Sequence, residues 1–178
     1  MNGHDPLSQH EGDAVSRFVR MLRELRRMPV SFIQADDRID GIEPEVGDQM
    51  EAVLDVLISQ APIYRWSKMA EHYVLYPRAV VWDTWIGGVQ ITNVPRLETA
   101  TQFVAQVRTT VPDLADLSEP PMIGDPRSPV YSQPVSLPPA GSILQHLAAL
   151  LGRDPRIVFT VERTLFGDRV LHFERVPE

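Results

Sequence analysis

A Pro-Val-Ser-apolar tetrapeptide occurs twice, as Pro29-Val30-Ser31-Phe32 and as Pro134-Val135-Ser136-Leu137, each copy between two segments of helical period. Such a repeat reads either as a duplication, which gives an architecture built from two similar units, or as the pattern that any two α+β stretches share. Before the first copy, Val15, Phe18, Val19, Leu22 and Leu25 recur at three- and four-residue steps. That spacing lines one helix face and predicts a helix from Asp13 to Met28, with Asp13 as N-cap and Pro29 as the stop. After it, Met50, Val53, Leu54, Leu57, Ile58 and Ala61 mark a second helix ended by Pro62, and Asp48 with Glu51 has the spacing of a capping box.

The second half runs in the same order. Leu97, Ala100, Phe103, Val104, Val107 and Val111 predict a helix from Arg96 to Val111. Ile143, Leu144, Leu147, Ala148 and Leu151 predict another, capped by Ser142 and closed by Gly152 in the left-handed region. Between them, Pro112 to Gly141 holds half of the chain's 16 prolines. Such density prevents helix and disfavours central strands, so this stretch reads as a surface excursion with an edge strand at Tyr131 to Leu137.

Hairpins complete the pattern. Ile63–Met69 and Tyr73–Tyr76 flank a turn near Ala70-Glu71, and Val80–Ile86 with Val89–Ile91 flank Gly87-Gly88. The chain finishes with Ile157–Arg163 and Arg169–Val176 around Phe166-Gly167-Asp168. In the last strand Leu171, Phe173 and Arg175 point one way and Val170, His172 and Glu174 the other. The expected fold is therefore α+β: two similar small modules, each with two helices packed on a short mixed or antiparallel sheet with a C-terminal β-hairpin. The expected division is a polar tail over 1–12, a first module over 13–92 and a second over 93–178, with the proline-rich excursion at 112–141.

This pattern resembles the short N-terminal (STN-like) domain of secretins and TonB-dependent receptors, apparent here in tandem. The resemblance lies in Phe18–Leu25, Val30–Gln34, Ala52–Ile58, and Tyr64-Arg65-Trp66 through Tyr73-Val74-Leu75. It covers about Ala14 to Pro77 and returns more loosely over Leu97 to Val176. It implies a domain that docks to other proteins, and it transfers no catalytic residue.

Composition removes several function classes. With no cysteine, the chain has no thiolate nucleophile, disulfide or cysteine metal site. No segment approaches the roughly 18–20 apolar residues of a membrane span. The first 12 residues are polar, so the expected compartment is the cytoplasm if Met1 is the native start, or the periplasm if a signal peptide was removed. The net charge of −7 argues against general nucleic-acid binding, which needs clustered cations. Every basic residue but Lys68 is arginine, a bias expected of a GC-rich, bacterial genome.

The stretch from Asp36 to Gly41 has the look of a calcium loop, but Arg38 and Gly47 occupy positions where an EF-hand needs oxygen ligands and a glutamate. Two alternatives stay open: a looser cation site at Asp36, Asp37, Asp40 and Glu43, and solvated loop acids. His4 and His10 fall in the tail, His72 beside a turn, and His146 and His172 on the sides of their elements away from the core, where surface positions are expected. Ser142 lacks the Gly-x-Ser-x-Gly setting of a hydrolase nucleophile, and Gly87-Gly88 leads to a strand, not to a phosphate-binding helix. No catalytic, cofactor-binding or metal-binding residue is assigned, and no cofactor is expected.

Two features point to a partner. Arg17, Arg20, Arg23 and Arg26 step by three along the first helix; either they form a solvated face or they dock an acidic protein surface or anionic lipid. Trp66, Trp82 and Trp85 lie on adjacent predicted strands and form either core packing or an open apolar patch. The expected function is a non-enzymatic protein–protein interaction or scaffold module, with Arg17, Arg20, Arg23, Trp66, Trp82 and Trp85 as partner-binding residues. The alternative is a small-ligand-binding protein or hydrolase using the acidic loop 36–51.

Overall fold

The computed structural model describes residues 13–43, 47–69, 71–78, 90–94, 97–117, 134–152, 154–163, 167 and 169–178. Its helices are α1 (Ala14–Leu25), α2 (Met50–Gln60), α3 (Ala100–Thr110) and α4 (Ile143–Leu151). Its strands are β1 (Val30–Ile33), β2 (Tyr64–Met69), β3 (His72–Pro77), β4 (Gln90–Thr92), β5 (Leu97–Glu98), β6 (Val135–Ser136), β7 (Ala140–Ser142), β8 (Ile157–Arg163) and β9 (Arg169–Arg175). The fold is α+β, as the periodicities predict. The second predicted hairpin, with Trp82 and Trp85, and most of the proline-rich excursion lie outside the described residues.

Five strands form one sheet in the order β2-β3-β1-β8-β9. β1 runs parallel to both neighbours, and the pairs β2–β3 and β8–β9 are antiparallel hairpins. The hairpins of the two halves are thus pooled around a single middle strand. All four residues of β1 are buried, so it can accept a strand at each edge. Its sequence counterpart β6 lies outside this sheet and bridges to β5, and β7 pairs with β4.

Alternation along the strands then separates two layers of helix. Val30 and Phe32 of β1, with Tyr64 and Leu75, pack under Val15, Phe18, Val19 and Leu22 of α1 and Val53, Leu54 and Leu57 of α2. Ile33, Val74 and Tyr76 face the opposite way, and with Phe159, Val161, Leu171 and Phe173 they meet α3 and α4. Each half of the chain therefore supplies one helix layer, while both supply the sheet.

Local chemistry fixes the helix ends, with three departures from the predicted signals; one is α3, which begins at Ala100 and not at Arg96, because Thr99 is its N-cap and Leu97–Glu98 pair as β5. Asp13 caps α1 as expected, its Oδ2 accepting from the Ser16 N–H at 3.2 Å. The helix stops at Leu25, ahead of Pro29, because Arg27 turns into the left-handed region at φ 56° and the Met28 N–H donates to the Leu22 carbonyl. At α2 the Asp48–Glu51 box does not form: Gln49 is the N-cap, and Asp48 pairs with Arg26 at 3.0 Å. Capping boxes form at the other two helices, from Thr99 with Gln102 and from Ser142 with Gln145.

Candidate functional site

Strands β8 and β9 have one apolar face and one polar face. The polar positions Thr160, Glu162, His172 and Glu174 fall on the side of α1, since Thr160 pairs with His172 across the hairpin while Phe159 and Phe173 point to α3 and α4. α1 sits over β1, so this polar face stays partly open. The result is a groove of about 300 Å³ between α1 and the hairpin. Ser16, Val19, Arg20, Arg23 and Glu24 form its α1 wall, Phe32 and Thr160 its floor, and Glu162, His172 and Glu174 the opposite side.

Arg23 crosses this groove at its base. It is only 7 % exposed although its neighbours Arg17 and Arg20 are exposed. Its Nε and Nη2 donate to the Val30 carbonyl at 2.9 and 2.6 Å, and Nη1 donates to Thr160 Oγ1 at 2.8 Å. Nη2 also reaches the Phe159 carbonyl at 3.4 Å, and Nη1 forms an ion pair with Glu174. Burial pulls this guanidinium below its ordinary pKa, with Glu174 opposing the shift. With its donors so engaged, Arg23 is a brace from α1 to β1, β8 and β9 and not a solvated member of the arginine stripe.

His172 stands beside Glu162 in the groove, Nδ1 lying 3.9 Å from Oε1, with its side chain 27 % exposed. The predicted surface placement of the histidines is corrected at two positions. His146 is fully buried and stacked on Phe103, and His72 is 6 % exposed with Nε2 3.4 Å from the Gly152 carbonyl. An apolar helix face can widen to admit a ring whose nitrogens meet backbone carbonyls, which periodicity alone does not register. Ser142 is a helix cap, as predicted.

Trp66 is half-buried on β2, where it packs against the α1–α2 cluster. Its Nε1 donates to Asp55 of α2 at 2.9 Å, and its ring lies 6.0 Å from that of Tyr73. It faces α2, so an open face shared by Trp66 is not formed there; Trp82 and Trp85 lie outside the described residues.

The acids of the 36–51 loop are spread among separate arginines. Asp36 accepts from Arg163 at 2.7 Å and lies 3.9 Å from Arg169, Asp40 pairs with Arg38, and Asp48 with Arg26. The hydrogen bond from Arg163 holds the Asp36 carboxyl below its ordinary pKa, the direction that keeps it charged. Asp36 and Asp37 also line a shallow depression with Pro62, Ile63, Pro77 and Arg78. Among the described residues, no group of three or more His, Cys, Asp or Glu side chains could hold a metal ion. Among the same residues, no helix is long and apolar enough to cross a membrane.

Sequence reasoning found Arg20 and Arg23 but missed the polar strand face that meets them. The signal was present in the alternation of the last hairpin, yet alternation does not say which face a helix covers. Fold and groove together define an α+β protein with a mixed five-stranded sheet, a helix pair on each face, and one concave polar strip. Compared with protein-family models, curated proteins and solved structures, the chain matches none.

Proposed function

We propose that the chain is a non-enzymatic protein-interaction or scaffold module that docks an acidic partner chain along the outer side of α1. One observation carries this reading. In a chain of net charge −7, α1 exposes Arg17 and Arg20. Exposed cations on one helix complement an acidic surface. The resemblance to the short N-terminal domain of secretins and TonB-dependent receptors, a docking domain, supports the same reading.

The test is quantitative cross-linking in native lysate with wild type, an Arg17→Glu/Arg20→Glu double variant and an Arg108→Glu control. The expected result is a partner recovered by wild type and control, lost by the double variant, and weakened by raising salt from roughly 0.05 to 0.5 M. A partner set indifferent to the double variant, or no specific partner, overturns the proposal.

A further inference from the structure

Arg23 uses its N–H groups inside the fold: Nε on the Val30 carbonyl, Nη2 on the Val30 and Phe159 carbonyls, and Nη1 on Thr160 and Glu174. It closes the base of the groove and has no donor left for a ligand. Arg175, also in the lining, is paired with Asp154 at 3.0 Å. Two charged side chains of the α1 wall differ. Arg20 and Glu24, about one helical turn apart, are exposed, and neither side chain has a hydrogen bond or ion pair among the described residues. On the hairpin side, Glu162 lies 3.9 Å from His172 Nδ1, too far for a hydrogen bond. The same lining includes Val19, Phe32 and Val176, all buried apolar side chains.

Free charges of both signs around one concavity select a ligand by its own charges. A simple anion would be drawn to Arg20 but repelled by Glu24 and Glu162. A simple cation would be drawn to those carboxylates but repelled by Arg20, which lies close enough to Arg23 for the two to repel each other. A molecule carrying both signs satisfies both walls. The volume of about 300 Å³ is at the small end for ligand pockets. Once an apolar group fills part of it, the two charges of the occupant must sit close together, as they do in an α-amino acid.

We infer that the groove between α1 and the β8–β9 hairpin binds a free apolar α-amino acid. Its carboxylate meets Arg20, its ammonium meets Glu162, and its side chain lies over Val19 and Phe32. This small-molecule site goes beyond partner docking on the outer side of α1. The two share Arg20, but Glu162 belongs to the groove alone.

The test is an amide-shift NMR titration of the full chain with L-valine, L-leucine, L-methionine and L-phenylalanine, each in turn. The tightest of them is then compared with its N-acetyl derivative, which lacks the ammonium, and its amide, which lacks the carboxylate. Saturable shifts are expected at Thr160, Glu162 and His172, with each derivative bound roughly tenfold more weakly, the scale of one lost charge pair. Arg20→Gln should weaken the amino acid by a similar factor but leave the amide unaffected. Glu162→Gln should weaken the amino acid but not the N-acetyl derivative, and it should still recover the acidic partner. Arg108→Gln should change nothing. No saturable shift with any of the amino acids, shifts that map outside the groove, derivatives that bind like the parent, or variants that bind like wild type overturn the proposal.

Discussion

The two hairpins flank β1 on either side, yet only one is closed over on the α1–α2 face. β2–β3 presents Tyr64, Trp66, Tyr73 and Leu75 to that face, and α2 lies over them. β8–β9 presents Thr160, Glu162, His172 and Glu174, and Arg23 braces α1 to it. The difference teaches that helix coverage follows the chemistry of the strand face. Apolar rings repay the burial of a helix against them, at about 1.5–3 kcal/mol for each large side chain removed from water. A row of carboxylates and an imidazole does not, because covering them would strip their hydration.

The largest effect that could break this comparison is on the covered side. Leu75→Ala, at a fully buried position, is expected to cost roughly 2–5 kcal/mol in denaturant unfolding, whereas His172→Ala in the groove should stay within about 0.5 kcal/mol. Equal losses would mean that the groove face is packed after all.

Next in size is the brace. Arg23→Ala removes the donors to the buried Val30 and Phe159 carbonyls and to Thr160, so a loss of roughly 3 kcal/mol is expected. Arg23→Met, which refills the volume without the charge, should recover part of that loss, and Arg20→Ala should cost almost nothing. A silent Arg23→Ala in a urea titration would show that α1 is held by its apolar face alone.

The smallest effect concerns Asp36, whose carboxyl is held down by the hydrogen bond from Arg163, with a further contribution from Arg169. A carboxyl depressed in the folded state adds stability above its unfolded pKa, near 4, and loses it as pH falls through the lower folded value. Wild type should therefore exceed Asp36→Asn by a few tenths to about 1 kcal/mol at pH 7, and the gap should close by about pH 2. Because Asp36 is more than half open to water, added salt should shrink the gap as well. A gap that widens in acid would reverse the assigned cause.

Much of the element list could be read directly. The period of Val15, Phe18, Val19 and Leu22 located α1, and the alternation of Leu171 and Phe173 located β9 with its apolar side. The caps were legible in part: Asp13 and Ser142 were read as caps, whereas the box of Thr99 with Gln102 was not read and that of Asp48 with Glu51 does not form. Ser142 does cap α4, whereas Asp48 is drawn away by Arg26, a residue far from it in sequence. Arg23 was visible as one of a series, but its burial was not. The series has a helical step, and only the position of β8 and β9 makes its third member an inside residue.

What the amino-acid order determined alone were the local matters: which stretches coil, which extend, which ends are capped, and which strand residues share a side. Those depend on contacts within a few positions. Tertiary structure decided that both hairpins join β1 in one sheet, that the polar side of β8–β9 borders a groove, and that His146 and Arg23 are enclosed. The reason is that strand neighbours and helix coverage come from apolar and hydrogen-bonding surfaces meeting across more than a hundred residues, where many pairings satisfy the same local pattern and only the packed whole selects one.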